Sequence, residues 1–206
     1  TTFVSLADTA IVAALLPNPN DVNSIYLNDI QDDPAVGWNT EISINNGVHA
    51  TAACLEPCID QDGNRVAFAT TTPWSSGDAV QDVFLWKSGV ATLTQVSVPL
   101  AGLKAASGDP DVDKAGKYVI FETATNGLVS DAPAATQMIY AKDVDSGANV
   151  YYMASRGGSS TVPNAFCANG AISGNGNYCA WETTSTNCTS DTYTGAVNDV
   201  FLRKWQ

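Results

Sequence analysis

Three stretches of this chain repeat one another: "DQDGNRVAFATT" from Asp60, "DKAGKYVIFETA" from Asp113 and "SGNGNYCAWETT" from Ser173. Each opens on a polar turn containing Gly and runs into an apolar segment that ends in an aromatic, Phe68, Phe121 or Trp181. A weaker copy, "LADTAIVAALL", begins at Leu6, with Asp8 and Val12 matching Asp62 and Val66. Successive copies lie 54, 53 and 60 residues apart. Self-similarity at such a period calls for a row of like units that bury their faces against one another.

The content of each unit is β. After every copy come a polar loop and a second strand-like run, "SIYLNDI", "DVFLWKS", "QMIYAKDV" and "DVFLRKW", carrying Tyr26, Phe84, Tyr140 and Phe201. A third run follows in three copies, "WNTEISI", "TLTQVSV" and "VYYMAS". Short segments ahead of the Gly turns, "EPCIDQDG", "GDPDVDKAG" and "NGAISGNG", supply a first strand. β-Branched and apolar residues alternate with polar ones, and Gly, Asn, Asp and Pro punctuate the joints. Each unit therefore reads as a four-stranded antiparallel meander, a-b-c-d, and meanders recurring at this spacing predict an all-β propeller of about four blades. The units span about 1–44, 45–97, 98–155 and 156–206 of one domain. Two-sided burial of each blade explains why the b strands are nearly continuous apolar runs.

These residues resemble the TolB-type propeller repeats of envelope and secreted proteins. The resemblance lies in Asp62-Gly63, Val66-Ala67-Phe68 and Asp82-Val83-Phe84, and again in Gly176, Cys179-Ala180-Trp181 and Asp199-Val200-Phe201. It covers nearly the whole chain, strongly in the second and fourth units and weakly in the first. It implies a fold and a habit of binding proteins or ligands, and it brings no catalytic residues with it.

Counting strands leaves fifteen for the sixteen places of a four-bladed ring. The fourth unit ends at "VNDVFLRKWQ", where the second unit continues into another strand. The opening "TTFVSL" can fill one vacancy. It lines up with strand d of the second unit at Thr2/Thr94, Val4/Val96 and Ser5/Ser97, and it can equally stand as strand a of the first. Thr2, Phe3 and Val4 at one end, and Val200, Phe201, Leu202 and Trp205 at the other, are thus the candidate assembly strands. The blade closes either with the chain's own N-terminus or with a strand from a neighbouring subunit, because an unpaired edge accepts a strand by backbone hydrogen bonding.

Charge narrows the partners. The chain of 206 residues has nine Lys and Arg against twenty-one Asp and Glu, a net charge of -12, which repels nucleic acid and anionic lipid. No apolar run approaches the roughly 20 residues that span a bilayer. Thr at position 1 reads as a mature or trimmed chain with its signal peptide removed, and five cysteines in a sparsely charged sequence read as extracellular. Cys54 and Cys167 hold equivalent places, each nine residues ahead of its unit's Gly. Cys54, Cys58, Cys167 and Cys188 are the disulfide candidates, with Cys167–Cys188 and Cys54–Cys58 as pairings the spacing allows and the pairing left open; a zinc site is the alternative, without a CxxC pair or His cluster to support it, and Cys179 is an inert core thiol. Asn187-Cys188-Thr189 is a glycosylation acceptor. Asp109, Asp111 and Asp113 at alternate positions are candidate calcium ligands, although the EF-hand pattern fails at its Gly and Glu.

Chemistry is nearly absent. His49 is the single histidine, and no GxSxG, HExxH or phosphate-loop motif occurs. Trp38, Trp74, Trp86 and Trp205 either stack on sugars or fill the core. The expected function is therefore a non-enzymatic, secreted or cell-surface structural subunit that self-assembles into a filament or layer by strand complementation. An extracellular glycan- or protein-binding module is the alternative.

Overall fold

The computed structural model describes residues 11–14, 20, 22–29, 39–74, 77–100, 104–190 and 197–205. Four antiparallel sheets follow one another along the chain, as a propeller requires. The first contains β1 (Ile11–Ala14), β2 (Tyr26–Asp29) and β3 (Asn39–Glu41). A small hairpin, β4 (Ile44–Asn45) and β5 (Val48–His49), sits between the first and second blades, which the repeat pattern does not foresee. The second blade is β6 (Cys54–Ile59), β7 (Arg65–Thr70), β8 (Asp82–Lys87) and β9 (Thr94–Gln95). The third is β10 (Ser107–Val112), β11 (Tyr118–Thr123), β12 (Met138–Asp143) and β13 (Tyr151–Met153). The fourth has β14 (Cys167–Ile172), β15 (Tyr178–Thr183) and β16 (Asp199–Lys204), in that order, and β16 is its outer strand.

Alternation along the b and c strands builds the core on both faces of a blade. Val66 and Phe68 of β7 pack with Phe84 of β8 toward the first blade, against Ile25 and Ile42. Ala67, Val83 and Leu85 point the other way, into a larger cluster with Val119, Phe121, Ile139, Tyr140 and Trp181 of the third and fourth blades. Successive side chains on a strand face opposite sides, so a run apolar at every position needs a sheet on each side.

The Gly turns are where blades touch most closely. Gly63, Gly116 and Gly176 adopt φ of 71°, 67° and 71°, a left-handed backbone that glycine tolerates without strain. The room beside Gly116 and Gly176 is also filled by the preceding blade. A Cβ on Gly116 would stand 2.4 Å from Arg65 Cδ, and one on Gly176 2.9 Å from Tyr118 Cδ2. The Asp that opens each turn holds it shut: Asp60 Oδ1 accepts from the Asn64 amide at 2.8 Å, and Asp113 Oδ1 from that of Tyr118 at 2.7 Å. Ser173 Oγ does the same for the Tyr178 amide at 3.0 Å.

Two further contacts recur from blade to blade. The first residue of each inner strand donates its amide to the previous blade, Cys54 to Asn23 O, Ser107 to Gln81 O and Cys167 to Gln137 O, each at 2.9 Å. At the outer edge an apolar–Ser pair closes the blade. Ile42, Val96 and Ala154 donate their amides to the carbonyls of Ile25, Val83 and Ile139 at 2.9, 2.7 and 2.9 Å. The adjoining Ser43, Ser97 and Ser155 hydroxyls accept from the amides of the same three residues at 3.1, 3.0 and 3.1 Å. Both backbone groups of the strand-c residue are thus satisfied in a buried site, where an unmet amide is costly.

Candidate functional site

The fourth blade lacks that closure among the described residues. β16 pairs with β15 from Thr183↔Asp199 to Tyr178↔Lys204, and no described strand lies beyond it. Val200 holds the place of Ile25, Val83 and Ile139, and it has no apolar–Ser partner among the described residues. Its side chain and that of Leu202 are 73% and 71% exposed, while Phe201 turns inward and stacks on Trp181 at 6.1 Å. On this same blade Tyr178 and Phe166 are also exposed. Among the described residues the blade therefore presents an unpaired edge and an apolar outward row together, an arrangement that proteins ordinarily blunt or cover.

Beside the edge lies a cleft of ≈ 550 Å³ formed by Arg156, Ser160, Trp181, Phe201 and Arg203. A second, of ≈ 230 Å³, runs from Arg203 past Tyr152 to Trp205. Trp205 is held by edge-on contact with Tyr118 at 5.1 Å and lies 5.3 Å from Tyr152. Arg156 is committed, its Nη1 donating to Asp131 Oδ2 at 2.8 Å and to Ser160 O at 3.0 Å. Arg203 is not: Nη2 reaches Ser160 Oγ at 3.4 Å, while Nη1 is buried without a partner among the described residues, as are Nε1 of Trp181 and of Trp205. Burial, followed by the like charge of Arg156, lowers the pKa of Arg203. An unmet buried donor is costly, and these three lie on β15, on β16 and just after it.

Of the sequence candidates, Val200, Phe201, Leu202 and Trp205 meet on this edge. Thr2, Phe3 and Val4 lie outside the described residues, as does Trp38. Arg156 and Arg203 were not singled out by sequence. Their signal was scarcity, two of only nine basic residues bracketing one unit.

The expected disulfides are corrected: all five cysteines are free thiols. The register slips by one between Leu55 and Cys58, so Cys54 enters the cluster shared with the first blade while Cys58 packs against the larger cluster. A one-residue bulge sends residues four apart to opposite faces. Cys54 and Cys167 are the first residues of the inner strands β6 and β14. Cys167 is buried in the core, and its thiol is pushed up to about 11, chiefly by burial. Cys188 sits in the b–c loop, where its carbonyl accepts from the Gly158 amide at 2.7 Å and the sulphur lies beside Ser185. Cys179 is a buried thiol in β15.

The same bulge disperses the calcium candidates. Asp109 is exposed on the inner strand at φ 45°. Asp111 Oδ2 accepts from the Ile172 amide of the next blade at 2.9 Å, and Asp113 is the turn clamp. No group of three or more metal-ligating side chains gathers among the described residues. Asn187 is engaged at both ends of its carboxamide: Oδ1 accepts from the Asn164 amide at 3.0 Å and Nδ2 donates to Val162 O at 3.0 Å. A glycan on Nδ2 has to displace that second bond.

The inner strands converge on a shallow acidic rim unmarked by any motif. Glu56, Asp109 and Asn169 occupy equivalent bulge positions at φ 53°, 45° and 52° and border one cleft. Beneath them Glu122 accepts from Gln137 Nε2 at 2.6 Å and from the Gly170 amide at 3.3 Å. Its pKa is pushed up to about 7, first by burial and then by Asp109. Between its ordinary 4.5 and about 7, the folded state keeps a proton that the unfolded chain gives up, so stability falls as pH rises through that window. Chemical denaturation at about pH 5 and about pH 8 should show a loss on the order of 1–2 kcal/mol, and Glu122→Gln should remove it. An unchanged slope in the variant would assign the effect elsewhere.

No family model matches the chain, and no curated protein matches it. Among solved structures it is similar to the β-propeller domain of the Trilobed protease from Pyrococcus furiosus, described as having an open velcro topology. That likeness has 12% identity, covers 100% of this chain and 55% of that one, and has a TM-score of 0.51. A structure from a study of two prolyl endopeptidases matches at 13% identity over 95% of this chain and 25% of that one, TM-score 0.53. TolB from Acinetobacter baumannii matches at 16% identity over 89% and 35%, TM-score 0.49. The chain spans about a quarter to just over half the length of these proteins, and the likenesses with the protease domain and the endopeptidase carry the propeller fold alone.

Proposed function

We propose that this chain is a non-enzymatic β-propeller subunit of TolB type that assembles with further copies by strand complementation at β16. The observation that carries the reading is β16, which has no further strand beside it among the described residues and exposes Val200 and Leu202. Strand addition there satisfies a row of backbone donors and acceptors, and it brings the body of the donor copy against the apolar face of Val200 and Leu202, as the third blade covers Val83 and Leu85. A contact of this head-to-tail kind propagates into a filament unless its rotation closes a ring. The acidic, sparsely basic composition supports a site of action outside the cell, and electron microscopy of native cell surfaces tests it. A glycan-binding reading has less to stand on, because Trp74 packs edge-on against Phe84 at 5.3 Å and Trp86 lies against the same core cluster.

Sedimentation of the purified chain across a concentration series, with electron microscopy of the heaviest fraction, tests the assembly. The expected result is a concentration-dependent polymer that Val200→Lys/Leu202→Lys converts to monomer without loss of β structure, since both side chains are exposed. A wild-type monomer at high concentration would overturn it.

A further inference from the structure

Asn is followed by Gly four times, at Asn46-Gly47, Asn126-Gly127, Asn169-Gly170 and Asn175-Gly176. The dipeptide carries a reaction of its own. The glycine amide nitrogen attacks the asparagine Cγ, and with no side chain on the glycine nothing hinders the approach. The N–Cγ bond forms, the Cγ–Nδ2 bond breaks, and Nδ2 leaves as ammonia with the amide proton. Water then opens the five-membered imide at either carbonyl. Opening at Cγ gives aspartate, and opening at the α-carbonyl gives isoaspartate, whose main chain runs through the side-chain carbons. The reaction needs a carboxamide that can turn, a glycine amide free of other bonds, and room for the base that removes its proton.

The fold withholds these conditions at three of the four sites. Asn169 Nδ2 donates to Glu182 Oε2 at 3.1 Å, and the Gly170 amide donates to Glu122 Oε1 at 3.3 Å. Asn175 Oδ1 accepts from Ser173 Oγ at 2.7 Å and from the Asn177 amide at 3.1 Å. The Gly176 amide donates to Ser173 O at 2.8 Å. Asn126 is half-buried and engaged, and the Gly127 carbonyl beside it accepts from the Leu100 amide at 3.3 Å.

Asn46 and Gly47 are both exposed, at the tip of the β4–β5 hairpin. Their φ of 49° and 81° are those of a two-residue turn with both central residues left-handed. Neither the Asn46 carboxamide nor the Gly47 amide makes a hydrogen bond among the described residues. A Cβ placed on Gly47 would meet nothing within 4 Å, so solvent reaches the amide. The hairpin pairs only Ile44↔His49 and Asn45↔Val48, and so short a ladder opens readily. Its tip is tied to blade two: the Asn46 amide donates to Ala91 O at 2.8 Å, and Asn45 Oδ1 accepts from the Leu93 amide at 3.0 Å.

We infer that Asn46 is a site of spontaneous covalent modification, converted through the cyclic imide to isoaspartate, and that the conversion loosens the hairpin from blade two. Isoaspartate adds one carbon to the main chain between the Asn46 amide and Gly47. The two-residue turn then no longer closes in register, and the anchors at Asn45 and Asn46 are pulled out of line.

Ageing of the folded chain at mildly alkaline pH, followed by peptide mapping with mass spectrometry, tests the site. The expected result is conversion of Asn46 to two products, isoaspartyl the more abundant, at least about tenfold faster than at Asn169 or Asn175. At those positions two or more hydrogen bonds must break first, each slowing the attack about fivefold. In the chain unfolded by guanidinium the four sites should react at similar rates. An Asn46 that stays intact in the folded chain while the unfolded chain reacts would overturn the site, and a ranking that survives unfolding would overturn the fold as its cause. Hydrogen exchange on the separated isoaspartyl form reads the loosening. The Leu93 amide should exchange about fivefold faster than in the unaged chain, the loss of one hydrogen bond. Asn46→Asp, which brings the charge without the extra carbon, should leave Leu93 protected. Unchanged protection of Leu93 in the isoaspartyl form would overturn the loosening.

Discussion

Truncating Phe121 to alanine should cost about 3–5 kcal/mol, the range for removing a large aromatic from a core that cannot collapse around the gap. Phe121 is fully buried at the middle of β11. Its ring lies 6.3 Å from those of Tyr140 and of Tyr151, and it belongs to the cluster that joins the second, third and fourth blades. The neighbours are fixed by two sheets, so little relaxation is available. Denaturant titration followed by tryptophan fluorescence and by far-ultraviolet circular dichroism reads the loss. The two signals should remain coincident, because blades sharing one cluster unfold together. A cost under about 1 kcal/mol would mean that the blades are coupled by their turns rather than by this core.

The second prediction sets two lysines against each other. Lys104 enters the third blade as a clamp, its Nζ 2.7 Å from Asp82 Oδ2 and 3.0 Å from Asp78 Oδ1. Burial works against its charge, but the bonds from Asp82 and Asp78 prevail and raise its pKa. That contribution is fully present below the ordinary 10.5 and is lost as pH rises through the folded value. Lys142 is more deeply enclosed between blades, yet among the described residues its Nζ finds only Gln95 O at 3.1 Å and the face of Tyr151 at 5.3 Å. Burial alone brings its pKa down to about 8.

The same substitution should therefore act in opposite directions. Lys104→Met strands the buried Asp82 carboxylate with only the Ser97 hydroxyl and should destabilise by about 3 kcal/mol at neutral pH. Lys142→Met exchanges an unpaired buried charge for a side chain of similar length and should stabilise by about 1–2 kcal/mol. For the wild-type chain the Lys142 penalty is fully present below about pH 8 and disappears as pH rises toward 10.5. Lys142→Met should flatten that rise. Denaturation midpoints at about pH 7 and about pH 10 check both, and destabilisation by both variants would show that Lys142 is needed for packing.

The blade unit was legible in the sequence because its determinants are local. A Gly at positive φ, an Asp or Ser that closes the turn, and a strand apolar at every position are all contained within a dozen residues, as in Asp113 to Ala124. The two-sided burial of β7, with Val66 and Phe68 on one face and Ala67 on the other, follows from the period of a strand and needs no knowledge of its neighbours. The apolar outward row of Val200 and Leu202, and the inward Phe201, follow from the same alternation.

Side-chain partners across the inner strands depended on something sequence spacing does not carry. In a regular strand Cys54 and Cys58 share a face, and so do Asp109, Asp111 and Asp113. The bulges at Glu56 and Asp109 insert one residue between them and shift the register, which turns one thiol toward each core and scatters the carboxylates. The bulge in turn is held by contacts between blades, such as the Asp109 amide donating to Glu56 Oε2 at 2.7 Å. Lys104 and Lys142 likewise acquire opposite energetic roles only from what the adjacent blade places beside them. Sequence alone determined the repeating unit and the alternation of each strand, since both act over a few residues. The tertiary structure decided which side chains meet, because a one-residue shift held between blades changes the face without changing the pattern.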